Sequence, residues 1–287
     1  QIFNTEGTVE TVENVLEHPY EGTVLEIETT HSLHNLTITG EHPVYALRNQ
    51  PKALNHSVIC NRLDKGIASV EWVEAKELTD DSLIAYKVPT YEKDISYITN
   101  DDCYFYGLLL GDGSLPENKT YGHITLHTTN KKHIIDFVTK YLDSKMVKFS
   151  TSIDEERNTT RIRWNKSVEL PIKYSDIYNN NREKIINSRW MNLPLQKAEQ
   201  IVRGLIDTDR TKHNELVFDS TSIHLIMGMR FLLLRMGILT SGYARGLLIP
   251  KTPELVRLCD LDESDTSYTF FKYGSLLFPR IKSIKSK

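Results

Sequence analysis

The chain has 287 residues, 39% of them apolar and 25% charged, and carries a net charge of −3. That apolar content can fill two hydrophobic cores, no stretch is long enough to span a bilayer, and no basic-then-apolar leader opens the chain. A membrane partner is therefore not expected. The three cysteines, Cys60, Cys103 and Cys259, lack metal or disulfide spacing and read as reduced, buried small hydrophobes of an intracellular protein, cytoplasmic or nuclear.

In chain order, residues 7–12, 20–28 and 36–44 alternate apolar and polar side chains as half-buried strands do, and 83–88 read as a further strand. Residues 105–113 then run apolar and small side chains into an acidic end, so this segment reads as a helix that delivers Asp112 at its C-terminal tip. Ninety-seven positions later, 202–210 repeats the pattern and delivers Asp209. Glycine inside a helix costs about 0.5–1 kcal/mol against alanine. Gly107 and Gly111, one turn apart, therefore need a packing reason, and close approach to a partner helix supplies it. Gly204 and Thr208 hold the matching positions in the second copy. Pairing through these faces would set Asp112 and Asp209 side by side, where two carboxylates repel unless a divalent cation or a proton lies between them.

The repeat extends past the two segments. After Asp112 comes a strand over 123–128, then Asn130 as N-cap of an amphipathic helix carrying Ile134, Ile135, Phe137, Val138, Tyr141 and Leu142. After Asp209 comes a strand over 215–219, then Ser222 capping a helix with Leu225, Ile226, Met229, Leu232, Leu233 and Met236, closed by Gly237. A hairpin from Lys148 to Trp164, turning at Asn158 and Thr159, completes the first half. The second half has little room for a counterpart between Tyr243 and Thr252, through shortening or through missing residues near 246.

The paired segments resemble the two motifs of single-chain LAGLIDADG homing endonucleases. That family's motif helices form the interface between two similar halves, and its eighth motif residue binds the catalytic metal. The resemblance implies an α+β endonuclease of two pseudo-symmetric repeats, 101–170 and 195–264, with Asp112 and Asp209 as catalytic metal ligands for Mg²⁺. Lys166 and Lys251 follow the hairpin regions, where the family places a lysine near the metal, and are candidate catalytic residues; exposed lysines without a role remain the alternative. The family's curved sheets lie in the major groove, which makes Lys131, Lys132, Arg157, Arg161, Arg163 and Lys166, clustered at the first hairpin, candidate DNA contacts. Charge distribution agrees: residues 101–250 carry 21 Lys and Arg against 17 Asp and Glu, the remainder 14 against 21. Arg161 and Arg163 alternate, so both project from one strand face, toward guanine or toward phosphate.

A second resemblance covers the ends. Residues 36–44, with Thr39 and His42, look like the Thr-x-x-His block of inteins and other Hint domains, in which the His assists the acyl shift and the Thr helps hold the upstream peptide bond. Residues 71–88 continue the likeness, and 280–285 resemble the strand by which an intein re-enters its Hint domain. This implies an all-β Hint-like domain over 1–95 and 265–287, interrupted by the endonuclease over 96–264. Intein splicing requires a first Cys or Ser and a final His-Asn pair, whereas this sequence has Gln1 and Lys287; self-splicing of this chain is not expected.

The combined reading is site-specific double-strand cleavage of a long asymmetric DNA target by a monomeric endonuclease embedded in an intein, with host exteins as precursor partners. Two alternatives stand beside it: a protein-splicing Hint element with an impaired endonuclease, and a stand-alone nuclease of the mating-type-switching kind. His123, His127 and His133 have no Cys or acidic residue to complete a ligand set and are read as DNA-facing or surface groups. Arg210 replaces the glycine that Gly113 supplies in the first copy, where a left-handed conformation is expected.

Overall fold

The computed structural model describes residues 2–32, 34–117, 120–165, 170–209, 216–243, 245–261 and 269–287. Lys166 and Arg210, and the side chain of Asp209, lie outside the described residues. The chain divides into two compact units, Gln1–Tyr91 with Leu233–Thr252 and Asp265–Lys287, and Glu92–Leu232 with Pro253–Ser264. The stretch 233–252, which the sequence repeat places with the second half, thus groups with the first unit.

The first unit begins with short strands β1 (Ile2–Phe3) and β2 (Val9–Glu10), then β3 (Val24–Thr29), β4 (Leu36–Thr39) and β5 (Pro43–Leu47). Helix α1 (His56–Asp64) interrupts the strands, so the unit is not purely β; the Asn55 side chain caps it by accepting from the Val58 N–H. Strands β6 (Val70–Glu74), β7 (Leu83–Ile84) and β8 (Tyr86–Lys87) follow. The antiparallel order β6-β5-β7 forms one sheet. Alternation buries Val44 and Ala46 against Val73, Ile84, Ile27 and Ile281 in one cluster.

The second unit opens on α2 (Asn100–Gly111), begun by a capping box in which Thr99 accepts from the Asp102 N–H and Asp102 accepts from the Thr99 N–H. Every residue from Asp102 to Leu110 is buried, as in a helix surrounded by protein. Asp102 can be wholly buried because Tyr141 and Lys145 both bond its Oδ1 at 2.7 Å while Thr99 donates to its Oδ2. Strand β9 (Gly113–Ser114) leads to β10 (Tyr121–His127), α3 (Lys132–Ser144), β11 (Phe149–Asp154) and β12 (Thr159–Asn165). These strands form an antiparallel sheet in the order β11-β12-β10-β9. Its inner face carries Ile124, Leu126, Ile162 and Trp164, all at most 2% exposed, and Phe105 meets Trp164 edge to face at 5.6 Å.

Asn158 takes the left-handed conformation at the hairpin turn, which asparagine tolerates. Helix α3 starts one residue later than the Asn130 cap implies: Lys131 is the N-cap residue, and the Asn130 N–H is taken by the His127 ring.

Short helices α4 (Tyr174–Ile177) and α5 (Ser188–Met191) connect the halves. Trp190 stacks on Tyr106 at 4.1 Å, and the Tyr106 hydroxyl donates to the Asp176 carbonyl, pinning this connection to α2. Helix α6 (Leu195–Asp209), strand β13 (Leu216–Asp219) and α7 (Ile223–Arg235) repeat the helix-strand-helix order. Ser222 caps α7 as the sequence implies, and Gly237 closes it with positive φ while Ile238 N–H bonds the Leu233 carbonyl. Strands β14 (Ser241–Tyr243) and β15 (Gly246–Ile249) make a hairpin of three residue pairs, where β11 and β12 make six. The chain ends with α8 (Pro253–Leu258), then β16 (Phe271–Tyr273), β17 (Leu276–Phe278) and β18 (Ile281–Ser286). Strand β18 lies antiparallel beside β3, and β17 beside β8, in the first unit.

Candidate functional site

Helices α2 and α6 pack backbone to backbone. A Cβ added at Gly107 would stand 3.0 Å from Gly204 Cα and 3.1 Å from Leu205 N, with the Ile201 carbonyl closer still; one added at Gly204 would meet the Tyr104 carbonyl at 2.5 Å. Only glycine permits this approach, as the one-turn glycine spacing requires. At the helix tips Gly111 abuts the Thr208 side chain, so Asp112 and the backbone of Asp209 leave the pair at neighbouring points. Gly113 does not have positive φ. Its lack of a Cβ answers instead to Leu109, whose Cα lies 2.6 Å from where that atom would be. The left-handed conformation expected there does not occur.

Neither motif helix has a basic residue in its last turn, and the negative ends of both dipoles draw cations from elsewhere. Lys131 Nζ bonds Asp112 Oδ2 at 2.6 Å and the Thr208 carbonyl at the end of α6. The Lys131 ammonium thus stands against the carboxylate of the first motif copy, and the DNA contact implied by its place in the basic cluster is a proposal. Lys184, which no motif or period singles out, bonds the carbonyls of Leu110 at 2.9 Å and Gly111 at 2.7 Å at the end of α2. Its only sequence signal is the missing basic residue of those last turns. Farther up the pair, Tyr104 donates to Asp207 at 2.6 Å, and Arg203 lies over the Tyr104 ring.

The outer face of the β10-β12-β11 sheet is a grid of polar side chains. Ser150, Arg163 and His123 lie in one row, Ser152, Arg161 and Thr125 in the next, and Asp154, Thr159 and His127 in the third. Arg161 and Arg163 are exposed on this face, as their alternation implies. Arg161 Nε donates to Thr125 Oγ1 at 3.2 Å, and the Arg163 guanidinium lies 4.3 Å from the Tyr121 ring centre. Burial, reinforced by Arg161, Arg163 and Lys184, pushes the His123 imidazole below its ordinary value. Lys132 is held by Asp136 at 2.7 Å across one helical turn, and Arg157 sits by Asp154 at 3.9 Å in the hairpin turn. Both are exposed and outside the grid.

In the first unit, Thr39 ends β4 and His42 follows through a tight turn closed by the His42 N–H on the Thr39 carbonyl. Lys251 belongs to this unit, just after β15, and is partly buried. Among the described residues no three of His, Cys, Asp and Glu converge on a metal position, and no helix is long and apolar enough to cross a membrane. Cys103 and Cys259 are buried, with the Cys103 thiol pushed up to about 12 by burial, whereas Cys60 is partly exposed.

The fold and site thus define a two-unit mixed α/β protein in which two glycine-packed helices end together beside a carboxylate and two lysines. No family model matches the chain. It is 29% identical over 196 residues to the ATP-dependent DNA helicase Hel308 of Methanocaldococcus jannaschii, covering 62% of this chain and 15% of the helicase. It is 26% identical over 113 residues to the uncharacterized protein MJ0043 of the same organism, covering 35% of this chain and 14% of that protein. The chain thus spans about one-seventh of the length of these curated relatives. Among solved structures it is similar to the homing endonuclease I-DmoI in complex with DNA and Ca, at 15% identity, 56% of this chain, 87% of that chain and a TM-score of 0.41. It is also similar to the N-terminal LAGLIDADG domain of DUF199/WhiA, at 11% identity, 57% of this chain, 84% of that chain and a TM-score of 0.38.

Proposed function

We propose that the chain is a site-specific, metal-dependent DNA endonuclease of the LAGLIDADG kind, carried within an intein-like Hint domain, that cuts both strands of a long asymmetric duplex. The observation that carries this reading is the α2–α6 pair, whose backbone contact at Gly107 and Gly204 brings the ends of both motif copies together. The unlike halves, with hairpins of different length, fit an asymmetric target.

The donors suit Mg²⁺. Asp112 Oδ2 and the Thr208 carbonyl already converge on a cation, the Lys131 ammonium, and such hard oxygens are what Mg²⁺ takes. Asp112 and Asp209 would hold the ion, which when bound lowers the pKa of an attacking water and neutralises charge on the scissile phosphate and the leaving 3′ oxygen. Lys131 counters the Asp112 charge and orients its carboxylate. Lys184 screens the carbonyl dipoles at the end of α2, easing approach of a phosphate. Lys166 and Lys251 remain proposed catalytic lysines, and the face of Arg161 and Arg163 the proposed DNA contact.

The embedded context is supported by the curated relatives: two differently named proteins each match over a small part of a much longer chain. Such partial matches fit an element carried within longer proteins. A second reading, a splicing element with an impaired nuclease, draws on the Thr39 to His42 turn and the return of β18 to β3. The deciding experiment is incubation with Mg²⁺ and a plasmid library of random inserts. One recurrent cleavage site, lost in Asp112→Asn, supports the nuclease; no cutting of any insert, with splicing of a precursor, favours the second reading.

A further inference from the structure

We infer that the first repeat reads two guanines separated by one base pair on one DNA strand, Arg161 contacting one and Arg163 the other, with Thr125 and Tyr121 holding the two guanidinium groups in reading position. This rests on the endonuclease reading and specifies its target. Arg161 and Arg163 stand two residues apart on β12 and share the exposed face. Strand rise of about 3.3–3.4 Å per residue separates them by about 6.7 Å, and two base steps of about 3.4 Å separate alternate bases by the same distance. A strand lying along the major groove therefore presents its alternate side chains at a two-step repeat.

Each arginine is restrained differently. Arg161 spends its Nε on Thr125, the residue opposite it on β10, and keeps the two terminal nitrogens as a parallel donor pair. Arg163 has its guanidinium carbon over the Tyr121 ring, 4.3 Å from the ring centre, a contact with the π face that uses none of its N–H donors. Two parallel donors match guanine O6 and N7, the commonest specific arginine contact in the major groove. A phosphate contact needs no such restraint, since a mobile cation neutralises it as well. The neighbours in each row, Ser150 and Ser152, are small and uncharged and leave the arginines clear. Duplex RNA, with its deep, narrow major groove, does not admit the strand.

The test is equilibrium selection by the full chain from a randomised duplex library in EDTA, so that binding is read without cleavage, repeated with Arg161→Gln, Arg163→Gln, Thr125→Val and Tyr121→Leu. All four changes lie at a surface face. The expected consensus contains two guanines flanking one free position. Each arginine variant should lose preference at its own guanine by about tenfold or more, and each partner variant should weaken the preference of the arginine it holds. If the arginine variants weaken all sequences equally and each lowers the salt slope by about 0.9, the arginines contact phosphate and the inference fails while the endonuclease reading stands. If the parent binds no duplex, both fail.

Discussion

Replacing Gly107 with alanine should force the motif helices apart. The three atoms nearest the new methyl would all be backbone, Gly204 Cα at 3.0 Å, Leu205 N at 3.1 Å and the nearer Ile201 carbonyl, so no rotamer change relieves the clash. Ordinary carbon contacts lie near 3.5–4.0 Å, and the helices must separate by about 1 Å. Overpacking costs about 1–3 kcal/mol, and alanine returns about 0.5–1 kcal/mol of helix propensity. With three backbone contacts the cost falls at the upper end, and the net loss should be about 2 kcal/mol. For a unit of roughly 150 residues this lowers Tm by about 4–8 °C, measurable by calorimetry of the full chain. Gly111→Ala is the control, because the atoms nearest its methyl would all belong to the Thr208 side chain. Adding Thr208→Gly should recover much of the Gly111→Ala loss and none of the Gly107→Ala loss. An unchanged Tm in Gly107→Ala, or equal rescue of both, would refute the backbone-to-backbone pairing.

Asp112→Asn and Asp209→Asn should each abolish double-strand cleavage while DNA affinity stays within several-fold of the parent, checked by gel-resolved cutting and by titration; full Mg²⁺-dependent cutting by either would remove it from the site. Lys131→Met should lower cleavage without changing the slope of log affinity against log salt, because its ammonium is engaged with Asp112 and Thr208; a slope reduced by about 0.9 would return it to the phosphate contacts. Burial alone would raise the Asp102 carboxyl, but bonds from Lys145, Thr99 and Tyr141 hold it below its ordinary value of 3.8. Its folded value is thus depressed, so its contribution is complete above the unfolded value and is lost as pH falls through the folded one. Asp102→Asn should cost about 1–3 kcal/mol near neutrality, with the gap to the parent narrowing in acid; denaturant titrations across pH that show a widening gap would contradict this.

The helix pair was readable in the sequence because glycines one turn apart in an apolar helix have few uses besides close approach. The β12 face was readable because strand alternation is local. What joins distant segments was not. Lys131 reads as one of a run of basic residues, and only the fold carries its ammonium to the end of α6. Lys184 comes from the connection between the halves, whose irregular backbone follows no period, and it reaches the end of α2 by tertiary packing alone. Gly113 misled because a glycine after a helix usually signals left-handed backbone, whereas here the constraint is the Leu109 side chain and backbone standing against it. The division of the chain was also beyond local reading, since 233–252 follows the second motif in sequence yet groups with the first unit.

The β3–β18 pairing bears on how the chain is made. Thr29 waits for Ile281, about 250 residues later. At roughly 5–20 residues per second the ribosome takes about 13–50 s to supply the partner. Throughout that interval β3 presents an open edge, the kind of surface that joins chains wrongly. Glu26 and Glu28 on that edge would repel the same edge of another nascent chain, while the arriving strand brings Lys282 and Lys285, and Lys287 closes on Glu26 at 2.9 Å. The acidic strand thus discourages pairing with its own kind and favours the basic strand that arrives later.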